Sequence, residues 1–148
     1  MAETTDAPTV ETADVLEFGL DGERYCVNIS YVSEIVARED LTSVPNTPEW
    51  VLGVQDLRGE SLQILDPKAR FGVDGDPGGK RVIVMVPEVG DDERLTGWLV
   101  DTVHDVFTVD PEEVDEDVDG VGVHGALRPG EEDDDRMVIW VDPNDVFS

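Results

Sequence analysis

Apolar and polar residues alternate along two neighbouring stretches near the N-terminus. Residues 16–20 place leucine and phenylalanine between glutamate and glycine, and residues 25–29 repeat the alternation with Tyr25, Val27 and Ile29. Successive strand side chains point to opposite faces of a sheet, so this pattern predicts two half-buried strands. Asp21-Gly22 between them is typical of a tight turn. We therefore predict an antiparallel hairpin.

The segment after this hairpin has a helical spacing of apolar residues. Ser30 is a suitable helix N-cap, and a short helical turn from it would give one apolar face made of Tyr31, Val32, Ile35 and Val36.

A second hairpin is predicted at the centre of the chain. Two apolar runs, residues 51–57 and 62–65, are separated by Arg58-Gly59-Glu60, and Gly59 readily supplies the positive φ of a tight turn. The preceding Thr47-Pro48 resembles an N-cap with proline at the first helical position, so we predict a short turn there. Arg58 is then held at the tip of a rigid hairpin, where it either meets a partner or pairs with Asp56 or Glu60.

The remaining chain continues as short strands and brief turns. Asp66-Pro67 and Gly72 bracket a predicted short helix, and Asp110-Pro111 and Asp142-Pro143 open two further turns. Residues 82–86 form a continuous apolar run, typical of a strand buried on both faces. Further strands are predicted at 95–100, 103–109 and 137–141, and residues 112–135 between the last two are glycine- and acid-rich. Eight or so strands of this kind predict a mostly β fold built from small β-barrels.

Composition adds a strongly acidic surface to this picture. The 148 residues include 36 acidic and 10 basic ones, giving a net charge of −26, so nucleic acid is excluded as a direct ligand. Because 39% of the residues are hydrophobic and grouped, we expect a folded, acid-coated domain like those of extreme halophiles rather than a disordered chain. Residues 1–13 are expected to be a disordered leader, and residues 74–79 to be a seam between two halves.

The sequence has neither a membrane span nor a signal peptide, and it has a single cysteine. No stretch approaches the roughly 20 apolar residues of a membrane span, and the acidic N-terminus is unlike a signal peptide. We therefore expect a soluble, cytoplasmic protein. Cys26 is the only cysteine and is expected to be a small packing residue.

Catalytic and metal-binding motifs are weak. Residues 115–120 match the first half of a calcium loop, but position 12 is Ala126 instead of the bidentate glutamate that such a loop needs. His104 and His124 lack further ligands at metal-site spacing, and no serine or cysteine lies in a nucleophile motif. We predict no cofactor, no metal and no catalysis. An acidic calcium-binding protein and a small β-barrel hydrolase are the alternatives.

A family resemblance covers almost all of residues 14–147. The segment Thr47-Pro48 through Val51-x-Gly53-Val54-x-x-Leu57-Arg58-Gly59 resembles the T-P-x-x-[IV]-x-G-[VI]-x-N-L-R-G motif of CheW, the coupling protein of prokaryotic chemotaxis. Four more blocks follow the family order, at 25–29, 32–35, 100–106 and 135–139. Asp56 replaces the usual asparagine, and Asp66-Pro67-Lys68 replaces the usual Asp-Leu-Arg. Other proteins with this domain, the regulatory domain of CheA and CheV-type couplers, need additional domains that this chain lacks.

The resemblance implies a non-catalytic adaptor with two intertwined five-stranded SH3-like β-barrels and short helical turns. It implies a first barrel mainly in residues 14–73 and a second mainly in 80–142, within one domain spanning 14–147. The implied partners are the regulatory domain of the histidine kinase CheA and the cytoplasmic tips of methyl-accepting chemotaxis receptors. The kinase would pack on the exposed edge of the first barrel, through residues that stay unassigned.

The resemblance also implies a receptor-facing surface in which a receptor helical hairpin lies in a groove between the barrels. An apolar strip would supply affinity, with Arg58 and Glu34 as polar anchors. The residues carried over to this surface are Val32, Glu34, Gly53, Arg58, Gly59, Val82, Gly97 and Val106. For Val82 and Val106 a place in the barrel core stays the alternative.

Overall fold

The computed structural model describes residues 12–73, 79–87, 89, 95–110, 112, 114–115, 120, 122–127 and 137–146. Within these ranges the chain forms ten strands, two short α-helices and one 3-10 helix. In chain order these are β1 (Ala13–Leu20), β2 (Glu23–Asn28), the 3-10 helix (Ile29–Tyr31), β3 (Val32–Ala37), β4 (Val51–Leu57), β5 (Glu60–Leu65), α1 (Pro67–Phe71), β6 (Arg81–Met85), β7 (Leu95–Val100), β8 (Thr102–Val109), β9 (Val123–Leu127), β10 (Val138–Val141) and α2 (Pro143–Val146).

The strands form two five-stranded sheets, as predicted for a mostly β fold. Sheet 1 has the order β8-β1-β2-β10-β9, and sheet 2 has the order β3-β6-β7-β5-β4. The sheets are intertwined, because the chain begins in sheet 1, builds all of sheet 2 and then returns to complete sheet 1. Strands of both predicted segments, residues 14–73 and 80–142, occur in both sheets.

Apolar side chains on both faces of the central strands produce a layered core. Ile83 and Met85 of β6 join a cluster between the sheets that includes Phe18, Trp98 and other residues of both sheets. Their neighbours Val82 and Val84 point the other way, into a second cluster within sheet 2. A third cluster within sheet 1 contains the fully buried Cys26, which confirms its expected packing role. Burial and the nearby Glu17 charge raise the pKa of the Cys26 thiol, so the thiol stays protonated.

Local sequence signals hold at most predicted turns. Asp66 caps α1 by accepting the Lys68 N–H at 3.1 Å, and Gly72 ends the helix with a φ of 71°. Asp142 caps α2 in the same way. One expectation is wrong: residues 32–37 form strand β3 rather than a helical turn. The glycine- and acid-rich stretch 112–135, for which no element is predicted, contains β9 at residues 123–127.

Some expected features fall partly outside the described residues. Residues 1–11 of the leader and 74–78 of the seam belong to this group. Ala13, assigned to the leader, instead pairs with Val109 at the start of β1.

A buried ion pair joins the two sheets where the chain crosses between them. Lys68 of α1 is 5% exposed, and its Nζ lies 3.0 and 3.1 Å from the two carboxylate oxygens of Asp101. Asp101 also accepts the backbone N–H of Asp21 at 2.6 Å, in the β1–β2 turn. Lys68, which departs from the family motif, therefore connects α1 to the β7–β8 junction and to sheet 1.

Candidate functional site

The turn between β4 and β5 is a two-residue hairpin with an unusual first residue. Arg58 and Gly59 have φ angles of 50° and 89°, so both central residues are left-handed, as in a type I′ turn. The role of Gly59 is as predicted, whereas the left-handed conformation of Arg58 is rare for a non-glycine residue. Gly59 also donates its N–H to Asp56 Oδ2 at 3.4 Å. The turn presents Arg58 with 69% of its side chain exposed.

Arg58 forms a two-pronged ion pair with Glu34 of β3. Its guanidinium nitrogens donate to the two carboxylate oxygens at 3.2 and 2.5 Å. The partner is therefore Glu34, distant in sequence, rather than the neighbouring Asp56 or Glu60. These hydrogen bonds, with the Arg58 charge, lower the pKa of Glu34, so the pair is ionised at neutral pH and is lost only in acid. The pair ties the hairpin tip to the edge strand β3.

A buried glutamine joins the same two edges of sheet 2 deeper in the structure. Gln55 of β4 is 4% exposed. Its amide donates to the Ala37 carbonyl at 3.1 Å and its oxygen accepts the Glu39 N–H at 3.0 Å. Both polar ends of a buried amide are thus satisfied. Together with the Glu34–Arg58 pair, these bonds connect β4 to β3 at the opposite end of the strand order.

Gly53 lets the segment after β3 approach β4 closely. Thr42 and Val54 exchange backbone hydrogen bonds of 2.8 and 2.9 Å beside it. The φ of Gly53 is 147°, and a Cβ at this position would lie 2.7 Å from the Thr42 carbonyl oxygen. The family glycine therefore supports the base of the hairpin instead of forming a contact surface.

We expect Gly53→Ala to destabilise the fold by about 2–3 kcal/mol, since both backbone strain and the collision with Thr42 oppose a methyl group. Gly59→Ala is the matched control, because it has a left-handed φ of 89° but no heavy atom within 4 Å of its Cβ position. Its expected cost is about 1 kcal/mol. Urea unfolding of both variants measures the difference, and equal losses would show that space at Gly53 is unimportant.

Two of the expected receptor contacts lie in the core. Val82 has no exposed surface, and a Cβ on the buried Gly97 would lie 2.5 Å from Val82 Cγ1. A residue without accessible surface makes no direct contact with a partner. Val82 therefore takes the alternative place in the barrel core, and Gly97 provides the space into which Val82 packs.

The other two predicted contacts lie on different sheets. Val32 is half-buried and packs against the core cluster between the sheets. Val106 lies on β8 of sheet 1, opposite Leu16, and is 50% exposed. The geometry thus brings Glu34 and Arg58 into contact, while Val106 stands apart from them in the strand order.

Sequence reasoning missed the exposed apolar Ile35. Its side chain is 40% exposed on β3, between the half-buried Glu34 and Val36. If the segment is taken as a strand, with side chains alternating between two faces, Ile35 lies on the face opposite to Glu34 and Val36.

The two histidines lie in different surroundings. His104 contacts Thr102 Oγ1 at 2.9 Å, and His124 lies 3.8 Å from Asp142. Across the ranges that the structure describes, no group of three or more histidine, cysteine, aspartate or glutamate residues is arranged to hold a metal ion. Four residues of the calcium-loop match, 116–119, are outside those ranges, and Asp115 pairs through its backbone with Ala126. None of the helices in those ranges is long and apolar enough to cross a membrane.

Known proteins resemble this chain over nearly its whole length. The family model described as the CheW-like domain matches residues 14–148. The probable chemotaxis protein CheW of Rhizobium etli is 33% identical over 142 residues, covering 91% of this chain and 87% of that protein. Chemotaxis protein CheW of Rhizobium meliloti is 36% identical over 101 residues, covering 68% of this chain and 64% of that protein. The crystal structure of the scaffolding protein TtCheW from Thermoanaerobacter tengcongensis has a TM-score of 0.76 at 26% identity, covering 100% of this chain and 94% of that one.

Proposed function

This chain belongs to the CheW-like domain family, and on that basis we propose that it is a chemotaxis adaptor that couples the histidine kinase CheA to the cytoplasmic tips of methyl-accepting receptors. It is a scaffolding protein and not an enzyme. Its place of action is then the cytoplasm, where its partners hold it at receptor arrays.

The Glu34–Arg58 pair is the observation that supports the receptor-facing surface best. Arg58 lies on a rigid hairpin, is 69% exposed, and is oriented by a two-pronged bond to Glu34. Planar guanidinium groups held in this way are well suited to recognising a partner, because little rotamer freedom is lost on binding. We call Glu34, Arg58 and Gly59 the hairpin surface.

Apolar contact at the receptor interface is expected from Val32 and Val106. Val106 has 50% of its surface accessible, enough to bury against a receptor helix. Gly53, Val82 and Gly97 act from within, because they shape the sheet that carries the hairpin surface. CheA is expected at a different face, on an exposed strand edge, so that both partners bind at once.

Reconstitution with purified CheA and a receptor-tip fragment tests the proposal. The chain is expected to bind both proteins, and kinase activity is expected to become receptor-dependent only when it is present. Failure to bind either protein, with a native circular dichroism spectrum, would refute the coupling function.

Glu34→Lys is expected to weaken receptor binding more than about tenfold while CheA binding changes less than about twofold. The substitution replaces the partner of Arg58 by a second cation, so the arginine loses its orientation and its charge balance. Glu23→Lys, an exposed reversal on β2 of sheet 1, is the control for net charge. Pull-downs of each partner measure the effects. Equal loss of receptor and CheA by Glu34→Lys, at an unchanged melting temperature, would mean that one surface serves both.

A further inference from the structure

Three basic residues meet at one end of the β3–β6 pair, although the chain as a whole is acidic. Arg38 donates its backbone N–H to the Lys80 carbonyl at 3.0 Å, and Arg81 pairs with Ala37. All three basic residues are exposed. Since the chain has 10 basic and 36 acidic residues, this is a local concentration of scarce charge.

Lys80 and Arg81 differ from four other basic residues that the structure describes. Among the described residues, neither takes part in an ion pair. Four other basic side chains in the same ranges are held by partners: Arg24 by Glu17, Arg58 by Glu34, Lys68 by Asp101, and Arg70 over the Trp50 ring. The charges of Lys80 and Arg81 are thus available to a carboxylate of a partner. The acidic residues next to this site along the chain are Glu39 and Asp40, which follow Arg38.

An apolar side chain adjoins one of these cations, Arg81, on the same face. In the β3–β6 register Ile35 is opposite Ile83 and Ala37 is opposite Arg81, so Ile35, Ala37 and Arg81 share a face. Ile35 is 40% exposed, and β3 is the first strand of its sheet. Diagonal neighbours in a sheet are about 7–8 Å apart. The expected separation of Ile35 and Arg81 therefore matches the roughly 7 Å between alternate residues of an extended segment.

We propose that this basic edge, defined as Ile35, Ala37, Arg38, Lys80 and Arg81, is a docking surface for an acidic segment of a protein partner. An apolar residue of the segment lies against Ile35, a carboxylate two residues away meets Arg81, and a further carboxylate reaches Lys80 at the end of the strand pair. Charge identifies this occupant. With a net charge of −26, most of the surface repels an acidic segment, so a local positive site fixes where it binds.

Nucleic acid is a poorer occupant, because its charge continues far beyond three cations and meets the surrounding acid. The part of the basic edge made of Ile35, Ala37 and Arg81 faces away from the hairpin surface, since adjacent strand residues such as Glu34 and Ile35 face opposite ways. The inference therefore does not depend on the proposed coupling function.

A fluorescein-labelled twelve-residue peptide of glutamate, aspartate and leucine tests the site. Its anisotropy is followed with the full chain, at the lowest salt that keeps the native circular dichroism spectrum. Lys80→Gln/Arg81→Gln is expected to weaken binding about tenfold, because two ion pairs are lost. The matched control is Ser43→Glu/Asn144→Asp, at two exposed positions outside the basic edge. Both double variants change the charge by two units, from −26 to −28. The control is expected to bind within about twofold of the wild type.

The site is supported if only the Lys80/Arg81 variant loses affinity and if molar salt weakens wild-type binding. Three results would overturn it. They are no binding by the wild type, equal loss in both double variants, and binding of inorganic polyphosphate as tight as that of the peptide. The last would identify a general anion site instead of a protein-docking surface.

Discussion

Arg58→Ala is expected to lower receptor-dependent kinase activation more than about tenfold, while the melting temperature stays within a few degrees of the wild-type value. An exposed ion pair contributes little to folding, whereas an oriented arginine at an interface is often among its most important contacts. Alanine carries the same kind of backbone strain as arginine at a φ of 50°, since both are ordinary L-residues with a Cβ. Kinase activation and thermal melts on the same preparation measure both quantities.

A charge exchange separates two roles of Arg58. Arg58→Glu and Glu34→Arg each place like charges where the structure has a two-pronged bond. The double variant restores opposite charges in reversed order. If the Arg58 cation itself contacts the receptor, the double variant regains stability but not coupling. Full coupling by the double variant would show that the pair only positions the hairpin, and full coupling by Arg58→Ala would remove Arg58 from the surface.

Local signals were sufficient where neighbouring residues decide the structure. The hairpin at residues 51–65 was predictable because two apolar runs flank Arg58-Gly59, and the cap of α1 because Asp66-Pro67 precedes it. Continuous apolarity in residues 82–86 correctly indicated a strand, now β6, buried on both faces. These features depend on backbone preferences and side-chain direction, which the sequence carries directly.

The functional geometry was less predictable because it depends on contacts between distant residues. Glu34 and Arg58 are 24 positions apart and meet only because sheet 2 brings β3 to the β4–β5 turn. Strand β9 follows the glycines at 120 and 122, and its structure comes from pairing with β10 and from Gly125, whose missing Cβ leaves room for Val114 and Asp115. Tertiary pairing overrides local preference in both places.

Family motifs also mix surface residues with the residues that support them. Gly53, Val82 and Gly97 belong to the inherited set, yet all three are buried. A substitution at any of them changes the surface through packing, so a binding defect alone does not identify a contact. Only Arg58, Gly59 and Val106 combine the inherited pattern with a clear exposed surface, and the half-buried Glu34 joins them through its ion pair with Arg58.

The melting temperature is expected to rise by about 10–20 °C between ~0.1 and ~1 M potassium chloride, a range chosen because the Debye length falls there from about 10 to 3 Å. Two carboxylates about 7 Å apart repel by roughly 0.6 kcal/mol in water. Screening leaves about half of this repulsion at the lower salt and about a tenth at the higher. With a net charge of −26, many such small terms oppose the folded state and sum to several kcal/mol.

Salt weakens the attractive ion pairs of this protein far less than it weakens the repulsion between its carboxylates. The melting temperature is therefore expected to rise with salt. The Lys68–Asp101 and Arg24–Glu17 pairs each contain a buried member, so screening reaches them weakly. The exposed Glu34–Arg58 pair loses some attraction, but it is one pair against a large excess of acid. Melting curves by far-UV circular dichroism across the series, with sodium sulfate as a second salt that also strengthens apolar burial, measure the effect. A melting temperature that stays flat or falls with salt would show that the acids are spaced widely enough for the β core to fold without screening, and the halophile interpretation would then fail.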